Sequence, residues 1–86
     1  MKARIRLETI TDIGNFVVAV EMATSSTDKV YVTDGGRMCV NAKSFLGLIH
    51  AREFDKIYVE SEKDIYTKIK TFVVEEDSLG SYEYSN

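Results

Sequence analysis

Val30-Tyr31-Val32-Thr33-Asp34-Gly35-Gly36-Arg37-Met38-Cys39-Val40-Asn41 reads as a strand, a tight turn and a returning strand. Asp-Gly and Gly-Gly tolerate positive φ, so Asp34–Arg37 carries the clearest hairpin signal in the chain. Met38–Asn41 then returns as a strand antiparallel to Val30–Thr33. Upstream, residues 3–10 begin by alternating: Ala3, Ile5 and Leu7 are apolar while Arg4, Arg6 and Glu8 are charged. A period of two predicts a strand with one wet face. Thr11–Asn15 is turn-forming, with Asp12 or Asn15 placed to cap a helix over Phe16–Ser25. Phe16, Ala19, Val20 and Ala23 form that helix's inner stripe.

Downstream, Ser44 is placed to N-cap a short helix, Phe45–His50. Ile57–Glu60 reads as the fourth strand. Ser61-Glu62-Lys63-Asp64 has capping-box spacing, with Asp64 at the reach-back position. Ile65, Ile69, Phe72 and Val73 predict the inner stripe of a last helix. The order is β-α-β-β-α-β-α. Three short helices cannot shield both faces of a four-stranded sheet. The fold class is therefore α+β: an open-faced sandwich, with an antiparallel sheet covered on one face by three helices.

The chain has 86 residues with 44% hydrophobic and 29% charged content. That fits one globular domain, expected over residues 1–74, and not a disordered chain. Residues 75–86, with Glu75, Glu76, Asp77 and Glu83, read as an acidic disordered tail. The net charge of −3 argues against nucleic-acid binding. No apolar run is long enough to span a bilayer. The single cysteine, Cys39, makes no internal disulfide and is expected as a core or sheet residue without redox role. One Cys and one His leave no Cys/His metal site, and no cofactor is expected. The expected location is cytoplasmic, with no membrane partner.

Val40-Asn41-Ala42-Lys43-Ser44-Phe45-Leu46-Gly47-Leu48 resembles the HPr family, the phosphocarrier proteins of the sugar phosphotransferase system. That family shows Val-Asn-x-Lys-Ser-[apolar]-[Met/Leu]-Gly after a Gly-containing hairpin. The element order matches over residues 3–74. The resemblance implies the HPr-like open-faced β-sandwich and a bacterial protein. Family members carry phosphoryl on a histidine in Gly-[Ile/Leu]-His-x-Arg-Pro, just before the first helix. Amide N–H groups and the positive helix end stabilise the phosphate there. Here the segment is Thr11-Asp12-Ile13-Gly14-Asn15-Phe16. With one extra residue allowed at Gly35-Gly36, Asp12 falls near the histidine's place, Gly14 at the arginine and Asn15 at the proline. The carrier's chemical parts are missing.

The one histidine, His50, sits in Ile49-His50-Ala51-Arg52, a string like the active-site motif but at the end of the second helix. A helix C-terminus favours a cation and disfavours phosphoryl oxygens. Its bland reading is a surface histidine beside that terminus; the sharp reading is a displaced nucleophile. Ser44 matches the family's regulatory serine, phosphorylated by an ATP-dependent kinase in some Gram-positive bacteria. By resemblance, Leu48 packs inward, while Phe45, Leu46, Ile49 and His50 line the partner face. Asp12 either mimics the charge of phosphohistidine or caps the first helix.

Three functions fit these residues. One is a non-catalytic binding or regulatory protein related to the phosphotransferase system. It would meet a protein partner through the first-helix start and the second helix. The family contains a catabolite-repression homologue of that kind, which lacks the histidine and keeps the serine. The second is a structural or assembly protein reusing the scaffold. The third is a phosphocarrier using His50. The first is the expectation, and no enzymatic activity goes with it.

Overall fold

A computed structural model describes residues 1–74 of the chain; the expected acidic tail, 75–86, lies outside the described residues. The elements are β1 (Lys2–Ile5), α1 (Ile10–Ala23), β2 (Val30–Thr33), β3 (Cys39–Asn41), α2 (Phe45–Ala51), β4 (Ile57–Ser61) and α3 (Tyr66–Ile69). A 3-10 turn, Lys70–Phe72, extends α3. The strands form one antiparallel sheet in the order β1-β4-β2-β3. The architecture is α+β, with three helices on an open four-stranded sheet.

Register explains why one face is dry. Ala3 faces Val59, and Val59 faces Val32, which faces Val40. This inner row meets Ile13, Phe16 and Val20 of α1, Leu48 of α2 and Ile69 of α3 in a single core. The Phe16 and Phe72 rings meet edge to face, 5.3 Å apart. The outer rows run Lys2, Glu60, Tyr31, Asn41 and Arg4, Tyr58, Thr33, Cys39. Lys2 pairs with Glu60 at 3.4 Å and lies 5.2 Å from the Tyr58 ring centre. Cys39 is exposed on the edge strand β3, not in the core.

The hairpin forms as its residues dictate. Among the described residues, Gly35 alone has positive φ, +86°. Asp34 Oδ1 accepts from the N–H groups of Gly36 (2.7 Å) and Met38 (3.1 Å). β3 starts at Cys39, one residue later than the expected strand, because Met38 closes the turn through its carbonyl to the Asp34 N–H.

Other boundaries also differ from the sequence reading: α1 ends at Ala23 and not Ser25, α2 at Ala51 and not His50, and β4 at Ser61 and not Glu60. β1 stops at Ile5, although Leu7 stays buried. There, Val73 bridges Ile5, the Arg6 N–H donates to Phe72 and the Val74 N–H to Arg4. The outer edge of β1 is thus covered by the end of the described chain.

The first helix starts at Ile10, not Phe16, because Thr9 and Asp12 build a capping box. The expected turn at Thr11–Asn15 is its first turns, and Asn15 caps nothing. The expected capping box at Ser61–Asp64 does not form. Ser61 ends β4 opposite Val30, and its Oγ accepts from the Lys63 N–H. α3 begins only at Tyr66, whose N–H donates to Asp64 Oδ1.

Candidate functional site

Asp12 stands at the third position of α1. Its Oδ2 accepts from the N–H groups of Glu8 (2.9 Å) and Thr9 (3.1 Å), and its own N–H donates to Thr9 Oγ1 (3.0 Å). The Glu8 bond, then the Thr9 bond, hold the carboxyl below its ordinary pKa, and the Arg52 charge adds to this. One carboxylate oxygen is therefore committed to closing the helix end. Asp12 and Asn15 line an open cleft with Arg6, Phe72 and Val74.

Gly14 lies two residues, about half a turn, further along α1. It has no side chain to offer a ligand, and a Cβ there would stand 4.0 Å from Phe45 Cε1 in otherwise open space. Gly14 is the point where α1 meets the α2 face.

On α2, Ser44 Oγ accepts from the Gly47 N–H at 3.0 Å, so this serine is the N-cap. Leu48 is fully buried, Ile49 half-buried, and Phe45, Leu46 and His50 exposed. His50 lies in the last turn, where its carbonyl accepts from the Arg52 and Glu53 N–H groups. The Arg52 guanidinium donates to the Glu8 carbonyl at 2.9 Å, tying the end of α2 to the start of α1.

Asn41, Lys43, Ser44 and Gly47, among the residues that carry the family resemblance, have structural work. Asn41 Oδ1 accepts from the Lys43 N–H at 2.8 Å, and its carbonyl from the Ser44 N–H at 3.0 Å. Lys43 Nζ reaches back to the carbonyls of Ser25 and Asp28. Gly47 is small because a Cβ there would come within 3.3 Å of both Ser44 and Val40. This string builds the β3–α2 corner.

The larger finding is on α1. Ile10 (50% exposed), Val18 (53%) and Met22 (69%) on α1 are exposed apolar side chains, as are Leu46 (72%) and Phe45 (39%) on α2. With Gly14, the α1 residues follow a four-residue spacing, one stripe of a helix. The sequence reading names Phe45 and Leu46 but not this stripe. Its signal is the i, i+4 series Ile10, Gly14, Val18 and Met22, half of which precedes a helix that starts at Phe16.

Among the described residues, no group of three or more His, Cys, Asp and Glu is placed to hold a metal ion. Among them also, no helix is long and apolar enough to cross a membrane. No family model, curated protein or solved structure matches the chain.

Proposed function

We propose that the chain is a non-catalytic binding or regulatory protein, related by its motif to the HPr proteins of the sugar phosphotransferase system, that acts in the cytoplasm. It meets a protein partner through the start of α1 and through α2, and carries no phosphoryl group on histidine. The observation that carries the reading is the apolar exposure of Phe45 and Leu46 on α2 and of Ile10, Val18 and Met22 on α1, two helices that approach where Gly14 lies near Phe45. Clustered exposed apolar residues mark interaction surfaces, whereas scattered ones do not.

The loss of carrier chemistry is supported by residues. Asp12, Gly14 and Asn15 occupy the stretch where the resemblance calls for histidine, arginine and proline. His50 stands at the carbonyl end of a helix, where phosphoryl oxygens are disfavoured. Ser44 is offered as a modification site, in which case added charge would act on partner binding at the adjacent apolar residues.

The test is an amide-shift titration of the labelled chain with phosphotransferase-system partners, enzyme I first. Shifts confined to α1 and to Phe45–His50 support the reading. Their absence favours the structural or assembly role.

A further inference from the structure

The end of the described chain sets a register on the outer edge of β1. The Arg6 N–H donates to the Phe72 carbonyl and the Val74 N–H to the Arg4 carbonyl, both at 2.9 Å, around the antiparallel bridge between Ile5 and Val73. On its other side β1 is bonded to β4, where Met1 and Ser61 exchange N–H···O bonds in both directions. Bonded residues alternate along an antiparallel ladder. Met1, Ala3 and Ile5 therefore turn their backbone groups to β4, while Lys2, Arg4 and Arg6 turn theirs to the outer edge. The described chain ends at Val74, opposite Arg4, two residues short of Lys2.

We propose that Glu75-Glu76-Asp77 continues this pairing as a fifth strand, with Glu76 opposite Lys2, so that the chain closes its own β1 edge. The segment follows Val74 directly, so no loop has to be closed to bring it there. In the continued register the Glu76 N–H donates to the Lys2 carbonyl, and the Lys2 N–H to that of Glu76. Residues directly opposite share a face of the sheet. The Glu76 carboxylate thus falls beside the Lys2 ammonium, which Glu60 holds from the β4 side at 3.4 Å. Arg4 lies on the diagonal. Charge disfavours a second copy at this edge, because its β1 would set Lys2 and Arg4 of one chain among the same cations of the other. Glu75 and Asp77 fall opposite Ala3 and Met1, on the face that carries the helices. An inward charge on an edge strand resists addition of a further strand, so the sheet ends there. This strand is independent of docking at α1 and α2.

The test is amide exchange and cross-strand NOE spectroscopy on the labelled full chain. Ala3 and Glu75 form a non-hydrogen-bonded pair, so their Hα atoms should give a strong NOE. The Lys2 and Glu76 amides should exchange about tenfold more slowly than their intrinsic rates, and those of Glu75 and Asp77 freely. Glu76→Pro removes a ladder donor and should abolish both the NOE and the Lys2 protection. Asp77→Pro, whose N–H points away from β1, should keep both. Val32 and Val59 amides, protected throughout, show that each variant is folded. Glu76→Lys should speed Lys2 exchange roughly two- to fivefold, as expected for an exposed ion pair, and Lys2→Glu in the same chain should restore it. Absence of the NOE with intrinsic exchange at Lys2 and Glu76 overturns the inference. Equal responses to the two prolines overturn the register. Lys2 protection that rises with protein concentration and survives Glu76→Pro overturns it in favour of a second copy.

Discussion

The ammonium of Lys43 donates to the carbonyl oxygen of Ser25 at 2.8 Å, across eighteen residues of chain. With the second bond to Asp28 at 3.0 Å, it pins the α1–β2 loop to the corner where α2 begins. Hydrogen bonds to charged groups are worth more than neutral ones, so Lys43→Met should cost about 1–2 kcal/mol in chemical denaturation. Lys43→Arg should recover little of it, because a planar fork does not fit two carbonyls set around a point donor. Binding to the α1–α2 face should persist in both variants.

The two helical glycines should respond oppositely to the same substitution. At Gly14 an added methyl meets open space, so Gly14→Ala should stabilise the chain by about 0.5–1 kcal/mol through helix propensity alone. At Gly47 the methyl presses on Ser44 and Val40 at 3.3 Å. Gly47→Ala should therefore lose that gain and lower the midpoint of thermal unfolding.

Gly35 combines positive φ with a close approach to the Tyr58 ring, 3.1 Å from an added Cβ. Gly35→Ala should cost about 1–2 kcal/mol from the backbone alone. Gly36→Ala should cost much less, because its φ is not positive. Paired thermal melts check this.

Thr9→Ala removes the α1 cap and should cost about 1 kcal/mol. The Asp12 carboxyl gives the same cap a pH signature. Its pKa is lowered below 3.8 in the folded chain, chiefly by the Glu8 N–H. Stability from this group is fully present above the unfolded value. It is lost as pH falls through the lower folded value. Asp12→Asn should remove that part of the acid sensitivity, so the two unfolding profiles should converge below about pH 4.

Incubation with enzyme I and labelled phosphoenolpyruvate should leave no acid-labile phosphate on the chain. Label that disappears in His50→Ala would restore a carrier role. A serine kinase of the HPr type should label Ser44 if the regulatory reading holds. Ser44→Ala should remove that label and cost about 1 kcal/mol as a lost cap.

The fold was legible where local chemistry and tertiary packing agree. Asp34-Gly35-Gly36 forces a turn whatever surrounds it, and Ser44 caps because Gly47 lies three residues on. Capping boxes show the limit. Thr9–Asp12, which forms, has the same spacing as Ser61–Asp64, which the sequence reading expects, but Ser61 is taken by its pairing with Val30. Nothing local distinguishes them. At the site, exposure of Phe45 and Leu46 follows from a helix too short to bury four large apolar residues. The α1 stripe stayed hidden because apolar residues lie on both sides of that helix. Which side meets the sheet is decided by packing of Ile13, Phe16 and Val20 against β-strand residues distant in sequence.

The central claim is that the α1–α2 face binds protein. Its most direct measurement is a two-dimensional amide titration of the full chain with enzyme I and with regulators that bind HPr proteins, in wild type and Leu46→Asp. The account predicts saturable shifts at Ile10, Gly14, Val18, Met22 and Phe45–His50, lost in the variant while its own spectrum stays folded. Shifts confined to the open sheet face around Tyr31 and Tyr58, or no shift with any of these partners, would contradict it.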